Sequence, residues 1–207
     1  MGPAEQVLNA GFAPSTGRIA TELGGVTVTF DGVPAPMFFS QALQLNLQVP
    51  FEVAGRSSTE VVITFRGQES TPITVPVVAS KPGIFAIGSQ AIVVREDGSL
   101  SAIANPVVAG EYVTIFGTGQ GEVDLPVASG APALADPLSV IRDSRVRIGG
   151  VEIPAENIAF AGMTPGFAGL FQINIKIPSG LPIGESVEIV VIIRGAESVP
   201  LTISVAG

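Results

Sequence analysis

A chain of 207 residues, 46% apolar and 14% charged, holds enough material for one or two packed cores. Its net charge of −8, from 10 Lys and Arg against 18 Asp and Glu, is spread without a basic cluster, which argues against nucleic acid and anionic membrane as partners. His and Cys are both absent, which removes serine–histidine and cysteine–histidine nucleophiles, thiolate sites, imidazole-ligated metals and disulfides together.

The 25 Gly and 17 Pro leave no window with sustained apolar spacing at helical period, so the chain is predicted to be all-β. No apolar run approaches the roughly 18 residues of a spanning helix. Met1 to Glu5 carries neither the basic region nor the apolar run of a signal peptide. Residues 1–20 scatter apolar residues among Gly, Pro, Ser and Thr and read as an extended N-terminal arm. Val26, Val28 and Phe30 alternate with Thr27 and Thr29 as a half-buried strand, turned by Asp31-Gly32. Val33 to Phe39 contains Pro34 and Pro36 and reads as an edge segment. Leu43, Leu45, Leu47 and Val49 then alternate with Gln44, Asn46 and Gln48 up to Pro50, predicting a core face and an amide-rich face. A hairpin over Val61 to Val78, turning near Arg66-Gly67, completes domain one, residues 21–80.

Ser80-Lys81-Pro82-Gly83 marks a boundary. Residues 81–104 read as a connecting hairpin: Ala91 to Val94 returns through Leu100 to Ile103 around Glu96-Asp97-Gly98-Ser99. Domain two, residues 105–207, opens with the strand Tyr112 to Phe116, followed by a Gly-, Pro- and Ala-rich loop from Gly117 to about Pro137.

The chain also repeats itself. VVITFRGQESTPITVPV, Val61 to Val77, returns as IVVIIRGAESVPLTISV, Ile189 to Val205, 128 positions later. Leu43 to Pro50 returns at the same offset as Phe171 to Pro178. Gly32-Val33 and Gly150-Val151 are only 118 apart, so domain two carries about ten further residues, near Ala161 to Gly169. Two tandem β-domains follow from this. One strand lacks its copy: Asn105 to Gly150 spans 45 residues and includes Tyr112 to Phe116, whereas Asn9 to Gly32 spans 23. Domain one is therefore expected to be short of its first strand, leaving an edge open to strand addition. The candidates to fill it are the arm through Val7, Leu8 and Phe12, the Ile84 to Ile103 hairpin, or the arm of a neighbouring molecule, which would build a fibre. An intramolecular solution is favoured, because the arm sits at high effective concentration beside its own domain.

The runs GVPAP (32–36), QLNLQVPFEVAG (44–55), PGIFA (82–86), DGSL (97–100), VTIFGTGQG (113–121) and PGFAGLFQINIKIP (165–178) resemble a family of uncharacterised carboxy-terminal domains in large secreted proteins of soil bacteria. Each half is also similar to an IPT/TIG domain. The resemblance implies two tandem immunoglobulin-like (IPT/TIG-like) β-sandwich domains, joined by the β-hairpin linker, in a secreted or cell-surface protein. It brings no catalytic or ligand residues with it.

The remaining chemistry is thin. Glu122 with Asp124, or Glu152 with Glu156, are the carboxylate pairs a sugar hydrolase would need, against the plainer reading of solvated surface charges. Gly117-Thr118-Gly119-Gln120-Gly121 imitates a phosphate-binding loop, but Glu122 to Pro126 follows instead of a helix, so an inter-strand loop is expected. Glu96-Asp97-Gly98-Ser99 lacks the alternating ligands of a calcium loop and reads as a hairpin turn. With 11 Phe, one Tyr and no Trp, the chain is poor in the groups that stack on sugars. Phe30, Phe65, Phe85, Phe116, Phe160 and Phe171 are assigned to the core, with Phe38-Phe39 and Phe167 as candidates for a contact surface. No catalytic, cofactor or metal residue is assigned. The expected function is a non-catalytic extracellular structural, adhesion or assembly module, with protein partners or self-association by β-strand addition. A fibre-forming subunit is the alternative, ahead of a glycan-binding module or a carboxylate hydrolase.

Overall fold

The computed structural model describes residues 7–207; the first six residues of the expected arm lie outside it. Apart from two 3-10 turns, Phe51–Val53 and Ala155–Asn157, the described regular structure is all strand. The chain forms two compact units. Unit 1 takes residues 1–79, 126–136 and 165–169; unit 2 takes 80–125, 137–164 and 170–207.

In unit 1, β1 (Val26–Phe30), β4 (Ser58–Phe65) and β5 (Ile73–Pro76) form one antiparallel sheet in that order. β2 (Met37–Gln41) and β3 (Gln44–Leu47) form the core of a second, joined by a tight turn at Ala42-Leu43. Both sheets contribute to one apolar cluster: Val26, Val28 and Phe30 from β1 and Met37 from β2, with Leu45, Leu47, Val61, Ile63 and Phe65 partly buried against them. This is a small sandwich.

In unit 2, β7 (Tyr112–Thr118) lies between β6 (Val93–Arg95) and β10 (Phe171–Lys176), and β10 pairs in turn with β9 (Ile158–Met163). The facing sheet runs β8 (Ser144–Ile148), β11 (Gly184–Ile193), β12 (Leu201–Ala206). Two short segments, Gln90–Ala91 and Val107–Val108, add to β12 in parallel. Val113 and Ile115 of β7 meet Ile173, Ile175, Ile189, Val191 and Ile193 in one buried cluster.

The repeat read in the sequence is a repeat of register. Val26 pairs with Phe65 and Phe30 with Val61; Ser144 pairs with Ile193 and Ile148 with Ile189, offsets of 118 and 128 along the two strands. Met37–Leu47 and Phe39–Asn46 recur as Ile158–Ile175 and Phe160–Asn174, and both ladders break at the same place with a β-bulge. The strand β9 sits 121 positions after β2, so the extra residues divide into three before β9 and seven in the loop between β9 and β10.

The conserved spacing around Arg-Gly has a local cause. Arg66 and Gly67 (φ 51° and 79°), like Arg194 and Gly195 (φ 51° and 78°), occupy left-handed backbone, the requirement of a two-residue hairpin turn that follows the sheet's twist. Just beyond each turn a serine closes the ladder. The hydroxyl of Ser70 accepts from the N–H of Ile63 and that of Ser198 from the N–H of Val191, both at 3.1 Å. Each serine N–H also donates to the same residue's carbonyl at 2.8 Å.

Three expectations about side chains need correction. Leu43 does not face a core; it sits in the β2–β3 turn and is 97% exposed. Alternation fails again past Leu47, where Gln48 is buried and Val49 exposed, because the side-chain amide oxygen (Oε1) of Gln48 accepts from the N–H of Gly130 at 2.9 Å. Among the phenylalanines assigned to the core, Phe30 and Phe171 are buried, Phe65, Phe116 and Phe160 are half-buried, and Phe85 is exposed. Phe116 lies on β7 between the inward positions Ile115 and Gly117, so strand period turns it outward.

Candidate functional site

Each candidate carboxylate has a role in the scaffold or stands apart. The Asp124 carboxylate accepts from the N–H groups of Leu125 and Val140, at 2.8 and 2.7 Å, fixing the loop after β7. Of Glu122, the backbone carbonyl accepts from the Arg194 guanidinium at 2.7 Å. Glu152 pairs with Arg145 at 3.5 Å on the exposed side of its strand. Glu156 borders an open groove of about 660 Å³ that Glu152 does not line. Its floor holds Tyr112, with the Lys176 ammonium 5.8 Å from the ring centre, while the Lys176 carbonyl accepts from Asn157 at 3.0 Å. One carboxylate and one ring-bound ammonium do not make the acid–base pair that sugar hydrolysis requires. Among the described residues, no three carboxylates gather as a metal site would need.

The glycine run at the end of β7, Gly117 within the strand and Gly119 just past it, is shaped by close packing of backbone. A Cβ on Gly117 would meet the Gly83 carbonyl oxygen at 2.4 Å, and one on Gly119 (φ 84°) would meet the Lys81 carbonyl oxygen at 2.0 Å. The Gly119 carbonyl in turn accepts from the Lys81 N–H at 2.8 Å. These glycines let the segment 81–83 run against β7. Asp97 is a turn residue: its carboxylate accepts from the N–H and the hydroxyl of Ser99 at 2.9 and 2.6 Å, which holds its pKa below the usual carboxylate range. Arg95, just before that turn, grips the Glu111 carboxylate at 2.7 and 3.0 Å and also donates to Asn105. Glu111 meanwhile accepts from the Val108 N–H at 2.8 Å, so the four residues tie the hairpin to the start of β7. Of the aromatic surface candidates, Phe38 and Phe39 are half-buried in β2 and Phe167 is exposed in the 165–169 segment.

The arm does add a strand in the same chain, at a different edge from the one expected. Leu8–Asn9 pairs with β2, Leu8 opposite Ser40 and Asn9 opposite Phe39. In unit 2 the matching outer edge of β9 is met by Val140, opposite Gly162. The position that β7 holds in unit 2 lies beside β10, and its counterpart in unit 1 lies beside β3. There, among the described residues, β3 ends its sheet, in the order arm strand, β2, β3. The hairpin candidate is excluded as well, since Gly83–Ile84 and β6 both pair with β7.

The consequence shows in burial. Leu45, Leu47, Val61, Ile63 and Phe65 are half-buried, whereas the residues 128 positions on, Ile173, Ile175, Ile189, Val191 and Ile193, are all 1% exposed or less. Among the described residues, the outer edge of β3 thus lies beside a partly covered floor. Of the three segments that the sequence left open as fillers, the arm pairs with β2 and the hairpin segments with β7.

The class these observations define is an all-β protein in which one sandwich pattern is built twice, the first time without its β7. No protein-family model matches the chain, and no curated protein matches it. Among the described residues, no helix is long and apolar enough to cross a membrane.

Proposed function

We propose that the chain is a non-catalytic structural module, built of immunoglobulin-like repeats of the IPT/TIG type, that serves adhesion or assembly outside the cell or at its surface. The observation that carries this reading is the duplication of two features, the β-bulge between β2 and β3 and the turn-closing serine after β4, which recur between β9 and β10 and after β11. Both copies spend their polar residues on holding strands in register. Asp31, Asp97, Asp124, Glu111 and Glu197 all bind backbone amides, turn hydroxyls or cross-strand arginines. The wider family suggested by motifs such as QLNLQVPFEVAG supports export.

The test of this reading is a hydrolase substrate panel combined with a glycan array. No turnover and no glycan retention is expected. Reproducible turnover that disappears in Glu122→Gln or Glu152→Gln would replace it with a carboxylate hydrolase.

A further inference from the structure

We propose that the outer edge of β3 accepts one extended segment of a separate polypeptide, laid antiparallel along Gln44–Leu47 as β7 is laid along β10. The inference rests on the assembly reading above and gives that reading a place and a ligand chemistry. The internal repeat supplies the template. In unit 2, Phe116, Ile115, Thr114 and Val113 stand opposite Gln172, Ile173, Asn174 and Ile175. Moved by 128 positions, the incoming strand stands opposite Gln44, Leu45, Asn46 and Leu47 in the same order.

The backbone is set to receive it. The two-residue turn at Ala42-Leu43 makes Gln41 and Gln44 the closing pair, which exchanges both of its bonds. Leu45 opposes Ser40 as the next, non-bonded pair, so its N–H and C=O point away from β2. Leu47 follows two residues on with the same sense. The floor is equally unfinished, because the five apolar side chains half-buried here are the ones fully buried in unit 2.

The occupant's chemistry follows from what β7 presents. Its inward residues Val113, Ile115 and Gly117 are buried, so the segment needs β-branched or small residues at alternate positions. The edge itself offers uncharged amides, with Gln44 donating to Asn46 at 2.9 Å, so the segment's other face is uncharged as well. A second copy of this chain does not meet these terms. Its β7 is already paired on both sides, and its arm strand is held by β2. Two copies meeting edge to edge would share a line of four residues, about 13 Å. An inserted strand gains its area from the floor instead.

The probe is a synthetic peptide of the Glu111 to Gly119 sequence, added to the full chain. Saturable one-to-one binding is expected, with amide exchange at Leu45 and Leu47 slowed at least about tenfold, as new ladder bonds require. Binding should fail for the peptide carrying Asp in place of Ile115. It should also fail for a peptide N-methylated at the two positions opposite Leu45 and Leu47, which leaves the protein untouched. Leu45→Pro removes the outward N–H while sparing the ladder to β2, and should abolish binding too. Absence of binding, equal binding by the N-methylated peptide, or concentration-dependent dimers without peptide would each overturn the proposal. Those results leave the assembly reading standing, which falls only to the turnover test.

Discussion

Asp31 illustrates how much a single polar residue can do in this protein. It sits at φ 47°, left-handed for a non-glycine residue, in the turn that ends β1. Its carboxylate accepts from the Glu60 N–H at 2.8 Å and lies against the Arg56 guanidinium. The Glu60 amide, the Thr59 hydroxyl and Arg56 together hold its pKa below the usual carboxylate range. Ser99 does the same for Asp97, and Arg147, through a two-point contact at 2.9 and 3.0 Å, for Glu197. In the unfolded chain these carboxyls take up protons at higher pH than in the native state. Their contribution is therefore complete above the ordinary aspartate value of about 4 and is lost as pH falls through the depressed values. Thermal melts by circular dichroism should show a midpoint that is level from neutrality down to about pH 5 and falls below it. Asp31→Asn should lower the neutral midpoint and flatten part of the acid fall. An acid slope identical in that variant would show that Asp31 contributes nothing through its charge. The turn Asp31-Gly32 was legible in the sequence from the residue types. Its acceptor role was not, because Glu60 lies 29 positions away and no local rule joins them.

At the scale of elements, period and offset carried the reading a long way. The alternation in Phe171 to Ile177 places Ile173 and Ile175 at 0% exposure, as a half-buried strand requires. The same pattern in Leu43 to Val49 misled at both ends. The two-residue turn consumes Leu43, and a hydrogen bond from Gly130 pulls Gln48 inward. Neither is visible to a rule that counts neighbours along the strand. The equivalent pair Ile175 and Leu47 turns the difference between units into a measurement. Ile175→Ala empties a sealed site and should cost about 2–5 kcal/mol. Leu47→Ala, at a position already half open to water, should cost roughly 1–2 kcal/mol. Chemical denaturation of the two variants compares them directly. Equal costs would mean that the floor beside β3 is as closed as the one beneath β7, and the missing strand would lose its energetic meaning.

For the whole molecule, sequence order and packing order diverge. Reading along the chain puts residues 126–136 and 165–169 inside the second β-domain, as a long loop and as part of its extra residues. In the fold both belong to unit 1. Ser129 accepts from the Phe51 N–H at 2.9 Å and donates to Glu52 at 2.7 Å. Gly130 receives the Ile19 N–H at 2.8 Å and gives its own N–H to Gln48. Ala133 is buried and bonds to Phe167 and Gly166, both at 2.9 Å, which joins the two segments to each other. These contacts satisfy backbone groups of Ile19 and Phe51, and without them those groups would face water or stay unpaired. Unit 1 also starts from a thin core, in which one sheet lacks a strand and five apolar residues are half open. A domain of this size has little stability to lose. Residues 1–79 alone are therefore expected not to fold, although the boundary at Ser80 looks like an ordinary linker. Their ¹H–¹⁵N spectrum should be collapsed, and the 126–136 segment should be needed to restore dispersion. In the intact chain, Gly130→Ala tests the same clasp, since that glycine holds φ 75° and a Cβ would come within 3.0 Å of Pro36. A well-dispersed spectrum for the 1–79 fragment, or a Gly130→Ala melt matching the parent, would show that unit 1 closes without the borrowed segments.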